Sequence, residues 1–161
     1  MADLIKVGMA DFKVSRSPAT IISYGLGSCI GVSLYDPQTK IGGLLHIMLP
    51  DSKQSRATDN PAKFADTGIP LMLDEVLKMG ASRSRLVAKM AGGAQMFAFS
   101  GENAMLRIGE RNVEATKKKL DEFGIRIIAE DTGNSYGRTI EFYPETGELL
   151  IKSVGKEQKI I

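Results

Sequence analysis

The chain is poor in the residues that carry most site chemistry. It has one cysteine, Cys29, and one histidine, His46. A single cysteine forms no internal disulfide, so nothing points to an oxidising compartment. One cysteine and one histidine do not complete a four-ligand zinc site without two distant carboxylates, which argues against a metal. No apolar run approaches the roughly 18–20 residues of a membrane-spanning helix. Residues 1–14 interleave acidic and basic side chains and lack the apolar core of a signal peptide. The expectation is a soluble cytoplasmic protein, not itself a membrane protein. An excess of one charge is missing too. The 21 basic and 19 acidic residues leave a net charge of +2, well mixed, which is no nucleic-acid footprint. Nucleotide motifs fail as well. Gly25-x-Gly27 has Ile30 where the dinucleotide fingerprint needs glycine, a strand follows instead of a helix, and there is no Gly-Lys-Ser/Thr loop. No cofactor is expected.

What is present suits one domain spanning residues 1–161. A hydrophobic share of 43% and a charged share of 25% over this length allow a sizeable core. Short apolar segments predict strands over residues 4–8, 12–14, 20–24, 30–35, 41–48, 85–90, 105–108, 125–130, 138–143 and 149–154. Residues 52–60 are polar and read as a mobile loop after the histidine, a candidate rim or lid. Asn60-Pro61 has the chemistry of a helix start. Pro70 then implies either a main helix beginning near Thr67 or a kink. Gly80 is the stop. A second helix is predicted over residues 110–123, with Val113, Thr116, Leu120 and Phe123 as its inner stripe and Gly124 as its end. Two helices among many short strands predict an α+β fold.

Residues 23–46 organise the rest. The turn Gly25-Leu26-Gly27-Ser28 leads into Cys29. Ile30, Val32 and Leu34 then alternate with Gly31, Ser33 and Tyr35, the pattern of a half-buried strand. Asp36-Pro37-Gln38-Thr39 is a turn, and the returning strand carries His46. If Asp36 faces Thr39, Cys29 falls opposite His46, where paired Cβ atoms lie about 4.5–5.5 Å apart. A thiolate beside an imidazolium is a nucleophile with a lowered pKa. Backbone N–H groups of Ser28 and Cys29, aimed by the glycine turn, could form an oxyanion hole, each donor worth about 3–4 kcal/mol. A catalytic imidazole needs a partner for its second nitrogen, and the Ser23 hydroxyl is the candidate. On this reading Cys29 is partly exposed in a shallow cleft and its pKa is depressed mainly by His46. The competing readings are a buried cysteine acting as a small hydrophobe and a core histidine satisfied in place.

These residues resemble the CheD family, the chemoreceptor glutamine deamidases of bacterial and archaeal chemotaxis. The resemblance rests on Gly25-Leu26-Gly27-Ser28-Cys29, His46-Ile47-Met48-Leu49-Pro50, Phe64-Ala65-Asp66, Lys89-Met90-Ala91-Gly92-Gly93-Ala94, Ile108-Gly109-Glu110-Arg111-Asn112 and Glu130-Asp131-Thr132-Gly133, in that order, over residues 5–154. It implies Cys29 as nucleophile, His46 as acid–base and Ser23 where the family typically has threonine. The hydroxyl is kept and χ1 is freer. Asn134 stands where a second glycine is common and tolerates left-handed geometry. The resemblance further implies a single-domain layered β-sandwich with two main helices, like the cytotoxic necrotising factor cysteine hydrolases. The implied substrates are glutamines on the cytoplasmic domain of methyl-accepting chemoreceptors, and a CheC-type phosphatase is an implied partner. The alternative is an adaptor that binds the receptor or the phosphatase without chemistry, which would not need the Cys29–His46 pair.

Overall fold

The computed structural model describes residues 3–55, 59–96 and 107–161. Among them are ten strands and two α-helices: β1 Asp3–Val7, β2 Asp11–Arg16, β3 Ala19–Leu26, β4 Ile30–Asp36, β5 Ile41–Ile47, α1 Ala65–Met79, β6 Val87–Gly92, α2 Ile108–Glu122, β7 Arg126–Thr132, β8 Arg138–Tyr143, β9 Glu148–Lys152 and β10 Lys159–Ile160. The strands form two five-stranded sheets, ordered β1-β3-β8-β9-β10 and β2-β5-β4-β6-β7. The expected α+β sandwich is what forms. No helix among the described residues is long and apolar enough to cross a membrane.

Two clusters of apolar side chains define three layers. Val7, Ile21, Leu26, Ile140 and Phe142 of the first sheet pack against Tyr35, Leu44 and Ala91 of the second. On the second sheet's other face, Ile30, Val32, Leu34, Leu45 and Ile47 pack against Ile69, Met72 and Val76 of α1 and Leu120 of α2. β4 and β5 are thus sandwiched, and all fourteen of their residues are buried. β4 was expected to be half-buried. Its polar-looking positions Gly31, Ser33 and Tyr35 instead face the opposing sheet. Gly31 and Ser33 leave room for the close approach of two sheets, the Tyr35 ring fills the gap against Phe142, and the alternation marks which face meets helices, not which meets water.

The β4–β5 turn departs from expectation in a way that matters for the site. Asp36 pairs with Ile41, not with Thr39, so the loop is four residues long. The cause is the Asp36 carboxylate, which is fully buried. Its Oδ1 accepts from the Gln38 and Thr39 N–H groups at 2.9 and 3.4 Å, and Arg85 holds both oxygens at 2.9 and 2.8 Å. That guanidinium holds the carboxyl well below the usual carboxylate range. Lys40 closes the loop in left-handed geometry, φ +57°. A four-residue loop built around an Asx turn replaces the two-residue one.

Several boundaries move. The Pro61–Lys63 segment is a separate 3-10 turn capped by the Asn60 side chain. α1 begins at Ala65, which puts Pro70 in its second turn, and Gly80 ends it at φ +119°. Residues 52–54 are a 3-10 turn, not open loop, because Asp51 caps it and Ser52 donates twice to Asp66. Ile108, expected in a strand, opens α2; residues 105 and 106 of that predicted strand, with residues 56–58 of the predicted rim, lie outside the described residues. The strand predicted over residues 85–90 runs as β6 from Val87 through Ala91 and Gly92. Asn134 does adopt left-handed geometry, φ +61°.

The close approach of the sheets is testable at Gly31. A Cβ there would land on Ile140 Cδ1, and Ile140 pairs with Ser23. Gly31→Ala should destabilise by about 1–3 kcal/mol through overpacking. The measurement is the shift of the urea midpoint at constant slope; no shift would mean that the sheets have slack at this point.

Candidate active site

β3 carries Ser23 on its inner face, paired across the parallel ladder with Val7. Between Ser23 and Leu26 the register with β8 slips by one, a bulge made possible by Gly25 at φ +71°. The chain then turns, with the Gly27 N–H donating to Gly25 at 3.1 Å. The next three carbonyls are all held from outside. Ala94 N–H donates to Gly27 at 2.9 Å, the Asn112 amide to Ser28 at 2.9 Å, and Gly93 N–H to Cys29 at 2.9 Å. Gly92 is needed here: its φ is +111°, and a Cβ would strike the Cys29 carbonyl oxygen. With the carbonyls turned outward, the N–H groups of Ser28 and Cys29 donate to no backbone carbonyl among the described residues.

His46 lies on β5, opposite Gly31 on one side and Asp11 on the other. The register expectation is therefore corrected. Cys29 precedes the first ladder pair, Ile30–Ile47, and falls two residues before the position facing His46. The longer turn at Asp36 is the reason. An offset of two preserves the face, and Cys29 sits in the cluster between the sheets.

The Ser23 expectation holds in geometry. Its hydroxyl lies 2.8 Å from His46 Nδ1 and 2.8 Å from the Val7 carbonyl. The hydroxyl has one proton, and Val7 offers only an acceptor. Ser23 therefore donates to Val7, and Nδ1–H donates to Ser23. That bond leaves Nε2 as the bare nitrogen, buried and without a hydrogen-bond partner. The ring is fully buried, and burial pushes its pKa from 6.5 down to about 4.

The thiol differs from expectation. Cys29 is only 9% exposed, and burial pushes its pKa up from 9.0, while its own backbone N–H pulls the other way. Histidine does not lower it here, since a neutral imidazole supplies no positive charge. The pair at rest is a thiol and a neutral base, not a thiolate and an imidazolium.

A family model described as CheD chemotactic sensory transduction matches residues 48–153. The chain belongs to the CheD family. Relatives align along their whole length. A Lachnoclostridium phytofermentans protein named probable chemoreceptor glutamine deamidase CheD is 62% identical over 161 residues, all of both chains. The chemoreceptor glutamine deamidase CheD of Halalkalibacterium halodurans is 56% identical over 162 residues, again all of both chains. A Methanosarcina acetivorans protein, probable chemoreceptor glutamine deamidase CheD 1, is 48% identical over 163 residues and the full length of each.

Within this CheD chain, sequence reasoning missed Asn112 and the supporting role of Gly92. Asn112 had a visible signal. It stands four and eight residues before Thr116 and Leu120, so it is a polar side chain on the buried stripe of α2, and all three are buried. Gly92 had none, because what needs the glycine is a carbonyl sixty-three residues earlier in the chain.

The buried neutral ring has a measurable consequence. The unfolded chain protonates its histidine near 6.5, the folded one only near 4. Between those values the unfolded state binds more protons, so stability is full above about pH 6.5 and falls as pH is lowered, by up to about 3 kcal/mol. Urea midpoints of the parent and His46→Gln, taken from pH 7.5 to 4.5, should diverge in slope. Parallel curves would mean that the folded ring already carries the proton.

Proposed function

We propose that this chain hydrolyses glutamine side-chain amides of methyl-accepting chemoreceptors to glutamate and ammonia, with Cys29 as nucleophile. The observation that carries the reading is the chain Nδ1–H to Ser23 to Val7, which leaves an unpartnered, deprotonated Nε2 in the layer that holds the only cysteine. The names of the full-length relatives supply the substrate class.

The steps follow from the resting protonation states. The Cys29 sulfur attacks the amide carbon as its proton passes to His46 Nε2. The carbonyl oxygen becomes an oxyanion held by the Ser28 and Cys29 N–H groups. His46, now imidazolium and steadied through Nδ1 by Ser23, protonates the amide nitrogen, and ammonia leaves. A thioester to Cys29 remains. Water attacks it as Nε2 takes a proton, glutamate is formed, and the thiol regains its proton. A ring that is costly to protonate when buried returns that proton readily, which suits the general acid step. The receptor gains a negative charge and a methylation site at each glutamine converted.

In this reading residues 1–161 act as one deamidase domain in the cytoplasm, where the helical receptor domain lies. A CheC-type phosphatase is the regulatory partner, and no cofactor takes part.

Peptide mapping of a chemoreceptor cytoplasmic fragment incubated with parent or variant tests the reading. The parent should convert a few glutamines and release ammonia. Cys29→Ala should bind the fragment with similar affinity and convert none. His46→Ala should lose about 10²–10⁴-fold. Conversion by Cys29→Ala near the parent's rate would favour the adaptor.

Ser23 tests the orienting bond separately. Ser23→Ala leaves the Val7 carbonyl and Nδ1–H unpaired, a destabilisation of about 1–3 kcal/mol, and should lower kcat at least tenfold in the folded protein. Ser23→Thr keeps the oxygen and should retain activity. Full activity of Ser23→Ala at a temperature where it is folded would mean another group holds the tautomer.

A further inference from the structure

We propose that Asn112 is a positioning residue for the Cys29–His46 pair, its single side-chain amide tying the backbone before the nucleophile to the backbone just beyond the histidine. This rests on the catalytic reading above. The Asn112 Nδ2 donates to the Ser28 carbonyl at 2.9 Å and to the Met48 carbonyl at 3.1 Å. Ser28 immediately precedes Cys29, and Met48 lies two residues past His46.

The tie supplies what the ladder does not. Strand pairing between β4 and β5 begins at Ile30–Ile47, so Cys29 and Met48 lie beyond it. The bonds from Gly93 and Ala94 fix the nucleophile turn against β6 but not against the end of β5. Asn112 joins the two. Its height is set by α2 itself, whose first turn is seated on the loop after β6: a Cβ on Gly109 would strike the carbonyls of Gly93 and Ala94.

The choice of asparagine is informative. Asn112 is fully buried, yet its Oδ1 has no hydrogen-bond partner. A buried amide half-satisfied in this way is poor for stability, where an apolar residue of equal volume on the same stripe would serve. Both amide protons are spent on the two carbonyls that flank the pair, and the unpaired oxygen is the cost of that geometry. A misplacement of about 1 Å between reacting groups can lower turnover about 10²-fold.

The test measures coupling as well as rate. In the parent, His46→Ala should slow iodoacetamide alkylation of Cys29 at pH 7.5. In the Asn112→Leu background, which removes both donors at similar volume, the same His46→Ala change should have no further effect. Asn112→Leu should also lower kcat on the receptor fragment about 10- to 100-fold per folded molecule, with KM within about twofold. Asn112→Asp, which keeps the shape and donates at most one of the two bonds, should fall between, and serves if Asn112→Leu folds poorly. Thr116→Val, equally buried one turn along α2 and with an unpartnered hydroxyl, controls for disturbance of the helix and should leave kcat at the parent's value. A parent whose alkylation ignores His46→Ala would overturn the catalytic pairing and this role with it. A parent that shows the dependence and an Asn112→Leu that keeps it, or a rate loss matched by Thr116→Val, would overturn the tie alone.

Discussion

The hydrogen bond between His46 and Ser23 joins the two sheets at their inner faces, and much of the structure serves to make it possible. The two residues come from different sheets, so the bond exists only if the sheets approach closely and stay in register. Gly31 and Gly42 make the approach possible. A Cβ on Gly42 would lie 2.8 Å from the Phe142 ring, and one on Gly31 would meet Ile140. The bond also makes a buried histidine tolerable on one nitrogen and leaves the other bare. Stability by itself would not select a fully buried ring with an unpartnered nitrogen; such local conflicts mark functional sites.

Electrostatics give the same layer its chemical character. Burial disfavours charge on both groups: it raises the thiol pKa and lowers that of the imidazole. The two shifts together keep the resting pair neutral and store no ion pair between the sheets. In the proposed reaction, charge is created only when an amide carbonyl is attacked, where the Ser28 and Cys29 N–H groups would meet it. A low dielectric strengthens those dipoles at that moment. By contrast a charge that is fully buried, that of Asp36, is compensated by Arg85 and three backbone N–H groups. It works as a structural hub, and in doing so it lengthens the β4–β5 turn and sets how far His46 lies along its strand from Cys29.

Cys29 is thus held by parts of the chain distant in sequence. β6 contributes Gly92 and, just past its end, the N–H groups of Gly93 and Ala94. α2 contributes Asn112. Neither shares a strand or turn with Cys29, and each contacts backbone only. This explains why motifs spread over the chain belong together: the glycine pair at the end of β6 and the asparagine of α2 complete one turn of backbone around residues 27–29.

The sequence by itself determined the elements and the chemical inventory. Its glycine turns, its apolar periodicities and its single cysteine and histidine were enough for the α+β class, both helices and most strands, because these depend on local propensity and patterning. The pairing of Ser23 with the histidine was legible too, through the need of an imidazole for a fixed tautomer. Tertiary structure decided the rest. Whether β4 met water or a second sheet depended on what packed against it, not on its own alternation. The register that separates Cys29 from the position facing His46 depended on Arg85, a residue forty-nine positions from Asp36. The thiol pKa depended on burial, which composition does not report. The place of Asn112 depended on where a helix starting sixty-two residues after His46 comes to rest. Hydrogen bonds and desolvation act through space at a few ångströms, and sequence distance carries almost no information about which groups will meet at that range.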